Sequence, residues 1–208
     1  MVILAPLLLL LQGCIEIVEE ITVNKDKSGH VSYRLETEGA GGLISGLTGL
    51  FDVSIEDAVR QEAEKLVREL QHQEGISNIR YSLGRSGNYF LEFDFAHYRD
   101  FNHAVYSLGG SKKTIFTPGY LRIGSSRFRK FNFAPWINRY IKKEEIAPPS
   151  PFLSDNVYFK SCINTPEDIK SVRNGSYDAG KNPRRTVQRF RLSDILSKEI
   201  NTGIRIRY

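Results

Sequence analysis

The chain has 208 residues, of which 40% are hydrophobic, 25% charged and 11% aromatic, with a formal net charge of +5. This balance excludes wholesale disorder and fibrous repeats, and the length suits one medium domain, or two small ones, with enough chain to bury a core without disulfide staples. Two cysteines, Cys14 and Cys162, exclude a disulfide scaffold and a cysteine-based zinc cluster.

Residues 1–11, MVILAPLLLLL, are all apolar, and Gln12-Gly13-Cys14 and the acid-rich stretch Ile15–Glu20 follow them. A run this short cannot cross a hydrocarbon core, which takes roughly 20 helical residues, but it fits the apolar region of a secretory signal. Leu11-Gln12-Gly13-Cys14 resembles a bacterial lipobox, in which Leu, a variable residue, Gly or Ala, and Cys end the signal. The resemblance implies that residues 1–13 are a signal peptide. It also implies that Cys14 becomes the first residue, carrying a diacylglycerol thioether and often an acylated amine such as palmitate. One acyl chain binds a membrane marginally, whereas two or more anchor stably. No Lys or Arg precedes the apolar run, which points to a start codon upstream of Met1. The competing reading is a buried N-terminal strand with an incidental cysteine.

After Cys14, the stretch Glu20–Glu38 reads as a β-hairpin. Ile17, Ile21 and Val23 share one parity, Val31, Tyr33 and Leu35 share one on the return strand, and Asn24–Gly29 has turn chemistry. The glycine-rich apolar stretch Gly39–Phe51 reads as a lid, a membrane-touching loop or a loop folded under the core. Ser54-Ile55-Glu56-Asp57 opens a helix that runs to about Gln73, with an apolar stripe from Ile55 to Leu70 and a stop at Gly75. A second hairpin spans Ile76–Phe95 around Gly84–Asn88, and a short helix covers Tyr98–Leu108. This ββαββα order predicts an α+β fold, an antiparallel sheet built from hairpins with helices packed on one face.

The second half opens with a strand over Thr114–Ile123. In Arg127–Phe133 the apolar parity changes at Lys130, which predicts a bulge or a strand end. Pro135-Trp136 begins a helical or irregular piece to Glu145, and Ala147–Pro151 reads as an extended linker. Strands are expected at Val157–Ile163, Ile169–Val172 and Thr186–Leu192, a helical turn near Ser193–Lys198, and a last strand at Ile204–Tyr208. We therefore divide the mature chain into residues 14–146 and the C-terminal strands of 147–208, which are expected to complete the same domain.

Charge divides along the chain. Residues 1–100 carry 16 acids and 9 bases, net −7, and residues 101–208 carry 8 acids and 20 bases, net +12. From Phe101 to Lys143 there are nine bases and no acid. Such asymmetry marks an interaction face, unless the two halves pack together and cancel. The candidate face for an anionic partner is Arg122, Arg127, Arg129, Lys130, Trp136 and Arg139, among aromatics. Arginine offers bidentate bonds to phosphate or carboxylate, and aromatic rings suit an interface or a sugar. The alternative is a strand pair with aromatics inside and bases outside.

Catalytic signals are absent. His30, His72, His97 and His103 are scattered without ligand spacing, and the chain has no HExxH, P-loop, GxSxG or GxGxxG motif. Cys162 has no neighbouring His or second Cys, which favours a buried structural thiol. Asn174-Gly175-Ser176 matches a glycosylation sequon, but an Asn-Gly turn explains it better. We expect no enzyme activity, no cofactor and no metal.

From Cys14 onward the order resembles small bacterial lipoproteins with an LppM-like domain. The matching features are Glu19–Val23, the turn Asn24–Gly29, the helix from Ser54, and the late stretch Asn164-Thr165-Pro166, Ile169–Val172, Asn174-Gly175, Thr186-Val187 and Leu192. The resemblance implies an α+β domain outside the cytoplasm, without established catalysis, in a position to touch lipids. The expectation is a lipid-anchored envelope protein on the periplasmic side or the cell surface. It would be a non-catalytic binding module for an anionic lipid or an envelope protein, not for nucleic acid. The alternatives are a structural subunit that pairs through its exposed final strand and, last, a glycan-acting enzyme.

Overall fold

Alternating strands from both halves of the chain need an apolar layer to bury, and they find it in one another. A computed structural model describes residues 14–38, 64–83, 89–108, 119–143, 151–177, 180–197 and 200–208. The signal segment, the glycine-rich loop, the start of the helix at Ser54, the 84–88 turn and the linker at 147–150 lie outside these residues.

Strands β1 (Cys14–Val23) and β2 (Gly29–Glu38) form the first hairpin, in register from Cys14 against Glu38 to Val23 against Gly29. Asp26 sets the turn by accepting bonds from the Ser28 backbone N–H (3.0 Å) and hydroxyl (2.6 Å), with Lys27 at φ 72°. Gly29 has no substitute here, because a β-carbon would run into the Thr22 carbonyl and the Phe95 ring. The described part of helix α1 covers 64–71. It is followed by β3 (Ile76–Leu83) and β4 (Tyr89–Phe95), with a bulge at Asn78 (φ 52°), and then α2 (Tyr98–Leu108).

The second half supplies β5 (Leu121–Ile123), β6 (Arg127–Lys130), α3 (Ala134–Lys143), α4 (Pro151–Asn156), β7 (Val157–Asn164), β8 (Ser171–Arg173), β9 (Ser176–Tyr177), β10 (Arg185–Arg191), α5 (Leu192–Ser197) and β11 (Ile204–Arg207). Two sheets result. The large one has the order β3-β4-β2-β1-β7-β10-β9 and the small one β5-β6-β11-β8. Among the described residues every pairing is antiparallel except β1 with β7, which run parallel, Glu19 beside Ser161 and Ile21 beside Ile163. One core joins the sheets: Ile21, Val31, Phe93, Phe95 and Ile163 from the large sheet meet Leu121, Phe128, Ile204 and Ile206 from the small one, with Leu70 and Phe101 from the helices. A satellite cluster of Phe133, Ala134 and Ile195 seats α3 and α5.

The class is α+β and the large sheet mostly antiparallel, as expected. The packing differs in one respect: helices share the inner face of the large sheet with a second sheet. The reason is periodicity, since β6 and β11 alternate buried and outward residues and so have an apolar face of their own to cover. Two short elements were missed. Helix α4 starts on Pro151, where proline's fixed φ suits a first helical turn. The two-residue β9 follows the expected Asn-Gly turn, with Asn174 at φ 59°.

Candidate anion-binding face

In the small sheet, residues paired across strands share a face. Leu121, Lys130 and Ile204 point inward in one row, and Ile123, Phe128, Ile206 and Val172 in another. The register therefore turns the intervening residues outward together. Arg122 pairs with Arg129, Arg129 with Arg205, and Arg205 with Arg173. This is an unbroken row of four arginines over four strands, about 14 Å long at the usual strand spacing. A second, parallel row holds Arg127, Arg207 and then Ser171. Arg122, Arg127, Arg173, Arg205 and Arg207 are exposed and Arg129 is half-buried, its guanidinium lying 4.1 Å from the centre of the Phe131 ring. None of the six makes an ion pair with a carboxylate among the described residues. Like charges directly opposite one another in a sheet are destabilising, so this face works against the fold that carries it.

The outer face of the large sheet is arranged the opposite way. Glu16 binds Lys160 (3.0 Å) and Arg189 (2.6 Å), Glu20 binds Arg34 (3.2 Å) and Arg185 (3.3 Å), Glu92 binds Arg80 (2.6 Å), and Asp94 binds His30 (2.7 Å). Burial pushes the Glu16, Glu20 and Asp94 carboxyls up, but their hydrogen bonds and basic neighbours outweigh it and hold all three below the usual range. Lys160, Arg185 and Arg189 come from the basic half of the sequence and Glu16 and Glu20 from the acidic half. Charge thus cancels on the large sheet and accumulates on the small one.

Of the residues singled out by sequence, Arg122, Arg127 and Arg129 stand in these rows. Lys130 does not belong to the face, and this corrects its assignment. Its side chain is wholly buried, with the ammonium 2.6 Å from Glu19 Oε2 and 2.7 Å from Ser161 Oγ. The strand period decides this: Lys130 follows Phe128 by two residues and shares its inward parity. Half-buried Trp136 and exposed Arg139 sit on α3. That helix bonds to α5 through Asn138 and the Ile195 carbonyl (2.8 Å), so both residues stand on a different element from the strands that carry the arginine rows. Arg173, Arg205 and Arg207 were missed, although the alternation of Ile204–Arg207 already placed two of them on one face.

Glu19, Lys130, Ser161, Tyr33 and Tyr120 form a polar cluster in the interior, in which Glu19, Lys130 and Ser161 are fully buried. Tyr120 donates to Glu19 Oε1 at 2.7 Å, Tyr33 to the same oxygen at 3.4 Å, and Ser161 to Oε2 at 2.7 Å. Burial pushes the Glu19 carboxyl up, but the Lys130 charge and these hydrogen bonds overcome it, so it stays ionised below its ordinary value. Burial and the Glu19 charge push both phenols well above theirs. The Lys130 ammonium also lies 5.2 Å from the Phe133 ring centre and 5.3 Å from that of Phe159. An ammonium beside a serine hydroxyl is the chemistry of a nucleophile and base, but Glu19, Lys130 and Ser161 have no exposed surface through which a substrate could reach them. The cluster pins the small sheet to β1 and β7. Among the described residues no group of three His, Cys, Asp or Glu side chains could hold a metal, and Cys162 is a buried free thiol.

The final strand is not exposed for pairing. β11 lies between β6 and β8 with both edges bonded, which corrects the expectation that it pairs with a neighbour. Cys14 opens β1, while the segment that precedes it lies outside the described residues. No helix among the described residues is long and apolar enough to cross a membrane.

No family model and no curated protein matches the chain. Among solved structures, the chain is similar to the NMR structure of the folded domain of Mycobacterium tuberculosis LppM, with a TM-score of 0.43 and 9% sequence identity over 94% of this chain and 90% of that one.

Proposed function

We propose that the protein is a bacterial envelope lipoprotein, anchored through lipidated Cys14, that serves as a non-catalytic module binding an anionic partner on the outer face of its small sheet. The observation that carries this reading is the set of six arginines in two registered rows, unmatched by carboxylates among the described residues. A fold tolerates such repulsion where a ligand supplies the missing anions, and arginine's planar fork favours phosphate, sulfate or carboxylate. The apolar run and Leu11-Gln12-Gly13-Cys14 support the envelope address, which in turn disfavours nucleic acid as the partner. The sealed Glu19–Lys130–Ser161 cluster supports a role without catalysis.

The address is tested by the intact mass of protein extracted from membranes, beside a Cys14→Ala variant. The expected mass is that of a chain beginning at Cys14 plus diacylglycerol and acyl groups, absent in the variant. An unprocessed, unlipidated chain in the soluble fraction would overturn the address and return nucleic acid to consideration as the anion.

A further inference from the structure

We infer that the arginine face binds an extended anionic glycan, a sugar polymer bearing one carboxylate, sulfate or phosphate per repeating unit. The chain would lie across the strands along the row Arg122–Arg129–Arg205–Arg173. The inference rests on the anion-binding reading above and names the chemistry of its partner.

The shape of the face selects a chain over a compact ligand. Cross-strand register sets the four arginine Cα positions in a line at steps of about 4.8 Å. That step is close to the advance per sugar of an extended glycan, so a chain laid along the row keeps pace with the arginines, whose long side chains can reach anions on either side of it. The second row stops after Arg127 and Arg207, because Ser171 occupies its third position. Only the first row crosses the whole sheet. Two cavities lie away from the rows, one at His30, Asn78 and Asp94 and one at Tyr177, Lys181 and Arg185. The rows themselves present an open face, with Arg122, Arg127, Arg173, Arg205 and Arg207 exposed.

The chemistry points the same way. All six cations are arginines, whose forked donors bond anions in a fixed plane, where lysine would act as a point charge. Arg129 is seated on the Phe131 ring, which limits its freedom and puts aromatic surface beside the row, as suits the C–H face of a sugar. A lipid bilayer is a two-dimensional field of headgroups. It would engage both rows alike and would not need four arginines in line.

The test uses residues 14–208 carrying Cys14→Ser, so that neither lipidation nor the apolar segment 1–11 itself binds membranes. Binding is measured at low salt to oligogalacturonates of two, four and eight residues and to phosphatidylglycerol vesicles. The expected result is a steep gain in affinity from two residues to four and a small one from four to eight. Arg122→Gln and Arg173→Gln, at the ends of the long row, should each weaken binding of the octamer about fivefold, the worth of about one exposed ionic contact. Arg127→Gln and Arg207→Gln should change it less than about twofold. Equal losses from both rows, or affinity that rises with total charge and shows no step at four residues, would overturn the inference. Binding to vesicles but to no oligomer would also overturn it, while leaving the anion-binding face in place. Binding to neither would overturn both.

Discussion

Lys130 occupies a strand position whose neighbours in register are Leu121 and Ile204, so its ammonium enters a layer otherwise filled by hydrocarbon. Burial pulls it toward the neutral form and Glu19 opposes that pull. The parity break at Lys130 was legible in the sequence. Its partner was not, because Glu19 stands 111 residues away in an acid-rich strand that reads as solvated. Sequence periodicity shows that a polar residue has an apolar neighbour's parity, but not which distant residue answers it. Removing one member of a buried pair leaves the other charged and unanswered. Lys130→Met alone, or Glu19→Gln alone, should therefore lower unfolding stability by about 3–5 kcal/mol. The double replacement Glu19→Leu with Lys130→Met should recover much of the loss. Urea unfolding of the three variants checks this, and additive losses in the double variant would show that the two residues act separately.

At the level of elements, each strand of the small sheet could be read from its own residues, but its place could not. The alternation in Ile204–Arg207 and the Arg-Phe-Arg-Lys of β6 predict one apolar and one basic face apiece. What joins them is a pairing across about 75 residues, which no local pattern encodes, and it converts scattered bases into two rows. The same pairing flanks Arg205 in register with Arg129 on one side and Arg173 on the other, as it flanks Arg129 with Arg122 and Arg205. Cross-strand pairs of like charge disfavour the sheet. Arg205→Thr replaces one such charge with a residue suited to strands. It should raise the melting temperature at low salt, with the gain shrinking at high salt as screening removes the repulsion. It should also weaken binding of the anionic partner. A variant less stable than the parent at low salt would show that the row is held together by contacts other than charge.

At the scale of the whole molecule, the acidic and basic halves of the sequence are interleaved in one structure. The parallel pair of β1 and β7 aligns Ile15 with Val157 and Thr22 with Asn164, so the central strand of the large sheet, already paired with β2, gains its second neighbour only after residue 157 is made. A parallel pair needs a long crossover, and long loops close at an entropic cost before any contact rewards it. The small sheet repeats the pattern, because β6 stays incomplete until β11 arrives at the end of the chain. A fragment of residues 14–146 keeps the first hairpins and the Glu19–Lys130 pair but loses Ser161, β7, β10 and β11. Its β1 would expose an unpaired edge over nearly its full length, and its β6 would pair only with the three-residue β5. Such a fragment should show no cooperative thermal transition and should bind a hydrophobic dye, whereas residues 14–208 should unfold in one step. A cooperative transition in the fragment, at a temperature near that of the longer chain, would show that the last 62 residues are a separate unit laid onto an already finished core.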